Sequence, residues 1–402
     1  MSSSEQPHID HGERPAPLAG LRVLDFTMIM AGPYCARLLA DAGADVIKVE
    51  APGGERGRGH STAHDLRTAY WASLNCGKRS IVLDLKNPEG AALARRLAAT
   101  VDVVLENFRP GVMKRLGLGY EALSAENPRL VYCCISGFGQ IGPNASKPAY
   151  APVIHAASGL DMAQMRYQNN AARPANTGIF TADILGGMNA LAGIQSALLQ
   201  RARTGRGQMV DVALLDSVLS MLVFECQEAQ FPPSGQRRHV YTPLCAEDGF
   251  VIVAPVTQKN FEDLARTLGK QQWLRDDRFA TSVQREENWD LLMSFVEEWT
   301  QSRSGLECEE QLMAAGVPCS RYLTVREALK DPQLAARGTL AAIGGSMGEF
   351  QVINPAFRMS GSRVEARTLV SQPGQHTDEV LREILRCDGS EVERLRAAGA
   401  LG

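Results

Sequence analysis

The chain has 402 residues, of which 45% are hydrophobic and 22% charged, and its formal net charge is -3. This composition is typical of a soluble globular enzyme, and the charge argues against non-specific binding to nucleic acid or to a membrane surface. No apolar run reaches the roughly 18 residues of a membrane helix, and the polar N-terminus is unlike a signal peptide. Nine cysteines without paired spacing indicate reduced thiols. We therefore predict a cytoplasmic protein with no metal site and no nucleic-acid or membrane partner.

The first recognisable unit is strand, turn, helix and strand. Residues 21–26 form a short apolar run, a Gly-Pro turn follows, and residues 34–42 are typical of a helix before a second apolar run at 46–50. This order predicts a βαβ unit with a right-handed crossover and parallel strands. The turn holds a single glycine and lacks the G-x-G-x-x-G fingerprint, which argues against NAD or FAD binding.

The same alternation continues along the first half of the chain, which predicts an α/β fold with a large, doubly wound, mainly parallel sheet. Such sheets bind ligands at the carboxyl ends of their strands, where segments 107–110 and 136–139 fall. Further strands are predicted at 80–85, 101–105, 130–135 and 208–213. Helices are predicted at 88–100 and from Asp183 through the apolar run that ends at Leu199.

The amino-acid composition changes near residue 227, where Pro, Gly and basic residues predict a linker over 227–240. A smaller α+β domain is predicted over 241–340. A large α/β domain is assigned to 18–226, with 341–402 returning to it. Residues 1–17 are interpreted as a disordered leader.

Asp183 lies at the start of a long helix rich in small residues. Thr181 and Asp183 are residue types of helix starts, and Gly186 and Gly187 allow another backbone or a ligand to approach closely. A carboxylate in this place is stabilised by the helix dipole and shielded from water, so it can serve as a fixed nucleophile. The alternative is that Asp183 only caps the helix.

Positive charge is concentrated in turn-like segments at 74–80 and 106–115, and at Lys147. Arginine side chains and helix N-termini suit phosphates, and a parallel sheet gathers its strand ends on one edge. These segments therefore predict a phosphate-binding site, although each residue taken alone is also typical of solvated surface charge.

Six ordered segments together resemble the class III CoA-transferases, the CaiB/BaiF family, which includes formyl-CoA and carnitine-type CoA-transferases and α-methylacyl-CoA racemase. The resemblance begins near Leu18 and runs over nearly the whole chain. It implies transfer of CoA from an acyl-CoA donor to a small carboxylic acid, by a homodimer whose two chains interlock. The segments are 21–50, 75–85, 106–117, 137–143, 183–211 and 373–377.

The resemblance also implies roles for individual residues. Asp183 matches the catalytic carboxylate, which attacks the thioester to give a mixed anhydride and then an aspartyl-CoA thioester. Tyr150, Gly186 and Gly187 are expected to form the substrate pocket. The implied coenzyme A site consists of Met30, Ala31, Leu74, Asn75, Lys78, Arg79, Asn107, Phe108, Arg109, Arg115 and Lys147.

This chain differs from the racemase and formyl-CoA branches of the family, and these differences help to choose between the alternative functions. The racemase branch has a His where this chain has Tyr150, and His155 is expected to be misplaced as a second base, which disfavours racemisation. The formyl-CoA branch carries a glycine-rich flap where segment 233–245 holds only Gly235, so that lid is absent or different. An α-methylacyl-CoA epimerase and a non-catalytic CoA-binding homologue remain the alternatives.

Overall fold

The computed structural model describes residues 14–58, 66–168, 171–232, 241–345 and 348–402. The chain packs into two compact units, Met1–Gln230 with Ala335–Gly402, and Phe231–Leu334. Most of the predicted leader, part of the predicted linker and Gly235 lie outside the described residues. Among the described helices, none has the length and apolar character needed to cross a membrane.

The first unit is built on a six-stranded sheet. Its strands are β1 (Arg22–Asp25), β2 (Asp45–Glu50), β3 (Arg79–Val82), β4 (Val103–Glu106), β5 (Val131–Ser136) and β6 (Met209–Ala213). All neighbouring strands are parallel, and their order is β3-β2-β1-β4-β5-β6. The predicted α/β class with a parallel sheet is therefore confirmed. The direction of winding reverses between β1 and β4, and such a switch point opens a crevice at the carboxyl ends of the strands.

Helices cover both faces of this sheet. Because successive side chains of a strand point to opposite faces, Leu24 of β1 lies in the same apolar cluster as Leu93, and its neighbour Val23 lies in a second cluster with Ile194. The helices are α1 (Ala31–Asp41), α2 (Leu66–Asn75), α3 (Pro88–Ala98), α4 (Val112–Arg115), α5 (Tyr120–Glu126), α6 (Ala151–Ser158), α7 (Leu160–Arg166), α8 (Thr181–Thr204), α9 (Leu214–Met221) and α10 (Val223–Glu228).

The second unit is a small α+β body with its own core around Phe261 and Phe279. Four of its helices begin with a capping box, in which Thr257, Thr281, Ser304 or Thr324 accepts the N–H of the third helical residue. Its elements are the antiparallel strands β7 (Leu244–Ala246), β8 (Gly249–Val253) and β9 (Cys319–Arg321), and helices α11 (Gln258–Thr267), α12 (Ser282–Glu287), α13 (Trp289–Thr300), α14 (Gly305–Ala314) and α15 (Val325–Ala328), followed by α16 (Pro332–Ala336).

The C-terminal segment packs with the first unit. Strands β10 (Leu340–Gly345) and β11 (Gly348–Ile353) form an antiparallel pair. Helices α17 (Thr377–Leu385) and α18 (Gly389–Ala397) follow, and their Leu381 and Leu395 lie in the same apolar cluster as Leu24 of β1. One face of the parallel sheet is thus closed by the end of the chain.

The sequence prediction differs from the structure mainly in short helices. Helix α1 begins at Ala31 rather than Tyr34, because Pro33 fits the first turn, where its missing N–H needs no partner. Helices α2, α6 and α7 were not predicted, since runs of seven to ten residues hold too few turns for a helical period to stand out.

Candidate active site

A cavity of about 220 Å³ opens at the carboxyl ends of β1, β4 and β5, at the switch point of the sheet. It gathers residues from the loops that follow these strands and from the start of α8. Seven of the residues predicted for the site lie in its wall, namely Ala31, Asn107, Phe108, Arg109, Lys147, Tyr150 and Asp183. The remainder of its wall is formed by Met28, Ile29, Pro110, Ile135, Ser136, Gly137, Ala145, Ala149 and Leu214.

Asp183 is the third residue of α8, and it does not cap that helix. The N-cap residue of α8 is Phe180, and no side chain of the cap residue bonds to the helix start. The backbone N–H of Ala31, the first residue of α1, instead interacts with the carboxylate of Asp183 and favours its charged form. The carboxylate therefore lies where the N-termini of two helices meet, and both helix dipoles favour a negative charge there.

The pKa of Asp183 is raised to about 6, because burial disfavours the charged form while the Ala31 N–H opposes this shift. The side chain is half-buried and forms part of the cavity wall. A carboxylate with this pKa is ionised at neutral pH, yet it is less solvated than an exposed aspartate. Both properties suit a nucleophile.

Gly186 and Gly187, which were predicted for the substrate pocket, do not line this cavity. A Cβ on Gly187 would lie 2.7 Å from the carbonyl oxygen of Ala31 and 3.0 Å from Cδ1 of Tyr34. A Cβ on Gly186 would lie 2.3 Å from Cδ2 of Leu214. The two glycines therefore let α8 approach α1 and α9, which brings Ala31 to Asp183.

The loop between β1 and α1 is held by hydrogen bonds at several of its backbone groups. Asn107 binds both sides of Met28, accepting from its N–H at 2.9 Å and donating to its carbonyl at 2.8 Å. The Lys48 ammonium donates to the carbonyl of Thr27 at 2.8 Å, and Glu55 accepts the N–H of Ile29 at 2.7 Å. Much of the Asn107 amide is therefore used to shape the loop.

Ile29 adopts φ 73°, in the left-handed region that a β-branched residue rarely occupies. Its side chain lies in the cavity wall. Such strain costs about 1–3 kcal/mol and persists only where the surroundings enforce it, most often at functional sites. The hydrogen bonds from Asn107 and to Glu55 supply that enforcement. Met30, next in the chain, is the N-cap residue of α1 and is not in the cavity wall.

The predicted cations separate into two groups. Arg109 and Lys147 are exposed and lie in the cavity wall, and Arg115 is exposed on α4 outside it. Lys78, by contrast, is fully buried, and its ammonium donates to Asp25, Asn75 and the carbonyl of Pro33.

Lys78 was predicted to bind phosphate, and in the structure its ammonium has three partners inside the protein. Arg79 was predicted for the same site, and its guanidinium is paired with Asp45, Glu379 and Glu383. Leu74 and Asn75 are also buried and lie outside the cavity wall.

Tyr150 lies in the cavity wall with 64% of its surface exposed, immediately before α6. His155, one turn further along α6, is 1% exposed and does not reach the cavity wall. Its Nε2 atom accepts the backbone N–H of Ala182 at 3.1 Å. His155 is thus engaged with α8 and is not placed as a second base opposite Asp183.

Residues Met28, Ile29 and Ser136 were not predicted for the site. The sequence did place segment 136–139 at the end of a predicted strand, which was the signal available for Ser136. No comparable signal marks Ile29, because nothing in an apolar residue after a strand reveals a left-handed backbone.

Comparison with known proteins shows the family of this chain. The family model described as CoA-transferase family III matches residues 18–377. The chain belongs to CoA-transferase family III. It is therefore an enzyme of the CoA-transferase class, as the resemblance in the sequence implied.

Individual relatives span the same length. A succinyl-CoA–D-citramalate CoA-transferase from Chloroflexus aurantiacus is 33% identical, covering 95% of this chain and 98% of the relative. A succinate–glutarate CoA-transferase from Agrobacterium fabrum is 34% identical, covering 93% and 97%. The crystal structure of a CaiB/BaiF family protein from Brucella suis is 34% identical, with a TM-score of 0.79 over 92% of this chain and 100% of that one.

Proposed function

We propose that this CoA-transferase moves CoA from an acyl-CoA donor to a small carboxylic acid, with Asp183 as the covalent nucleophile. The observation that carries the proposal is the position of the Asp183 carboxylate. It lies in the wall of the cavity at the sheet switch point, where the N-termini of α1 and α8 meet.

In the proposed reaction, a carboxylate oxygen of Asp183 attacks the thioester carbonyl carbon, and CoA leaves as a thiolate. The product is a mixed anhydride between Asp183 and the donor acyl group. The thiolate then attacks the aspartyl carbonyl, which releases the donor acid as a carboxylate and leaves an aspartyl-CoA thioester. The acceptor carboxylate attacks that thioester to form a second anhydride, and the thiolate attacks the acceptor carbonyl to give the new acyl-CoA and free Asp183.

The residues around Asp183 suit these steps. Each attack places negative charge on a carbonyl oxygen, and the Ala31 N–H together with the two helix N-termini can stabilise that oxyanion. An anhydride must also be kept from water. The apolar side chains of Met28, Ile29 and Leu214 contribute to the wall around Asp183 and limit its solvation.

We propose that CoA binds along the exposed side of this cavity. Arg109 and Lys147 would pair with its phosphates, with Arg115 near the rim. The loop of Met30 and Ala31 and the turn of Asn107 and Phe108 would contact the pantetheine arm, which carries the reacting sulfur. Lys78 and Arg79 do not enter the proposed site, because their cations are already paired.

The acceptor is proposed to be a small dicarboxylic acid, since the relatives above are named for succinate, glutarate and citramalate. The test is to incubate the protein with succinyl-CoA and, in turn, glutarate, malate, oxalate and acetate, and to follow the new acyl-CoA by mass spectrometry. We expect transfer to at least one dicarboxylate. Free CoA without a new thioester would contradict transferase activity toward these acids.

A second assay distinguishes the proposed transferase from the alternative, an α-methylacyl-CoA epimerase. In deuterated water, an epimerase exchanges the α-proton of a 2-methylacyl-CoA, and a transferase leaves that proton in place. We expect no exchange, because His155 is engaged with Ala182.

We further propose that the protein is a homodimer of interlocked chains, as the family resemblance implies. Sedimentation equilibrium at micromolar concentration should give twice the chain mass of 43.6 kDa. A monomer at that concentration would contradict an interlocked assembly.

A further inference from the structure

His155 contacts the helix that carries Asp183. It lies near the end of α6 and is 1% exposed, so its imidazole is inside the protein. Nε2 accepts the backbone N–H of Ala182, at 3.1 Å. Ala182 is the second residue of α8 and immediately precedes Asp183. A side chain from one helix thus binds the first turn of another, next to the proposed nucleophile.

This contact supplies a cap that α8 lacks within its own sequence. The first N–H groups of a helix have no partner in the helix, and a Ser, Thr, Asp or Asn side chain at the N-cap usually satisfies one of them. Phe180 occupies that position in α8 and has no such side chain. His155 takes the place of the missing acceptor for Ala182.

The hydrogen bond defines the state of the imidazole. An acceptor at Nε2 requires a lone pair there, so the ring is neutral and its proton is on Nδ1. Burial lowers the pKa of His155, while the charge of Asp161 opposes this shift, and the neutral ring is therefore favoured near pH 7.

His155 Nδ1 is buried without a hydrogen-bond partner among the described residues. An unsatisfied buried donor is costly, so an apolar side chain would fit a purely structural position better. The histidine carries this cost while it satisfies one particular N–H, that of Ala182.

We infer that His155 is a positioning residue, which holds the first turn of α8 through the Ala182 N–H so that the Asp183 carboxylate stays aligned for attack. This inference rests on the proposed role of Asp183. Asp183 is then influenced from two sides, since the Ala31 N–H favours its charged carboxylate and His155 binds the N–H of the preceding residue, Ala182. An error of about 1 Å in a reacting group costs on the order of 100-fold in rate.

The test compares two uncharged replacements of similar length. His155→Gln retains an oxygen that can accept the Ala182 N–H, and His155→Met does not. We expect the Met variant to lose about 10- to 100-fold in kcat with an almost unchanged KM for the acyl-CoA, and the Gln variant to recover most of that loss. A Met variant with the kcat of the unmodified enzyme, or equal losses in both variants, would overturn the inference.

Two further measurements separate the role of His155 from that of Asp183 and cover the case in which His155→Met does not fold. Asp183→Asn is assayed in parallel: if it remains active, the proposed nucleophile fails, whereas an inactive Asn variant beside a fully active His155→Met variant refutes only the role of His155. If His155→Met does not fold, the tautomer is read from ¹⁵N-histidine NMR of the intact enzyme, with the His155→Gln spectrum as assignment. The proton on Nδ1 is the expected result, and a proton on Nε2 would overturn the inference.

Discussion

The backbone N–H of Ala31, in the first turn of α1, interacts with the carboxylate of Asp183, in the first turn of α8, and favours its charged form. The contact depends on how closely the two helices approach. Gly187 sets that approach, because it faces the carbonyl oxygen of Ala31 with no side chain between them. The electrostatic environment of Asp183 is therefore a consequence of helix packing.

Gly187→Ala should lower both stability and activity. The added Cβ would lie 2.7 Å from the Ala31 oxygen, so α1 must shift away from α8. We expect a loss of about 1–3 kcal/mol in the free energy of unfolding, together with a reduced kcat, because the Ala31 N–H moves away from Asp183. Denaturant unfolding and the transfer assay measure the two effects.

The matched control is Gly389→Ala. Gly389 also lies in a helix, and a Cβ there would meet no heavy atom within 4 Å. This variant should be as stable and as active as the unmodified enzyme. If Gly187→Ala behaves in the same way, close packing of α1 on α8 is not required.

The rate should depend on pH through the ionisation of Asp183. Its pKa is about 6, above the usual value of an aspartate, because burial disfavours the charge. Only the carboxylate is nucleophilic, so kcat/KM should fall as the pH drops below about 6 and should level off above it. A profile measured between about pH 4.5 and 8 should show this limb. A constant rate down to about pH 5 would indicate a nucleophile of lower pKa.

Arg109→Ala and Lys147→Ala should weaken CoA binding while leaving stability unchanged, because both cations are exposed in the cavity wall. We expect the Kd for CoA to rise about 10-fold for each, with a weaker dependence on salt. Arg203→Ala, which removes an exposed cation from the last turn of α8, serves as the control. The Kd is measured by isothermal titration at two salt concentrations. An unchanged Kd for both variants would show that the phosphates of CoA bind elsewhere.

Lys78→Met should have the opposite effect: it should lower the stability of the protein and leave CoA binding unchanged. Removing the buried ammonium leaves the Asp25 carboxylate unpaired inside the protein. We expect a loss of about 3–5 kcal/mol of stability. Thermal unfolding separates this from a binding defect, and a stable Lys78→Met protein with weakened CoA affinity would restore Lys78 to the phosphate site.

Asp183→Asn should abolish transfer while sparing CoA binding. The amide keeps the shape of the carboxylate but removes its nucleophilic charge, so the rate should fall at least ~10³-fold. The Kd for CoA should change little, because Arg109 and Lys147 are unaltered. A Kd that rises as steeply as the rate falls would point to a binding role for Asp183.

The fold could be read from the sequence because strands and helices alternate, and because six separated segments follow the family pattern. The hydrogen-bond and ion-pair partners of individual side chains could not be read from the sequence. Lys78 lies in a basic segment beside a strand, yet its partner Asp25 is 53 residues away, and the Glu379 partner of Arg79 is 300 residues away. Only the folded chain reveals that these cations are already paired.

Asp183 illustrates the same limit at the site itself. The sequence placed it at a helix start but left open whether it capped the helix. The choice depends on Ala31, which belongs to a different helix. The strained backbone of Ile29 is equally invisible in the sequence, because it is imposed by Asn107 and Glu55 from other parts of the chain.

Chemical trapping can show whether Asp183 carries the covalent intermediate. The enzyme is incubated with the acyl-CoA donor without acceptor, quenched with hydroxylamine, digested and mapped by mass spectrometry. We expect an aspartyl hydroxamate on the peptide that contains Asp183, and none in the Asp183→Asn variant. A hydroxamate on another carboxylate, such as Asp211, or continued transfer by the Asn variant, would contradict this expectation.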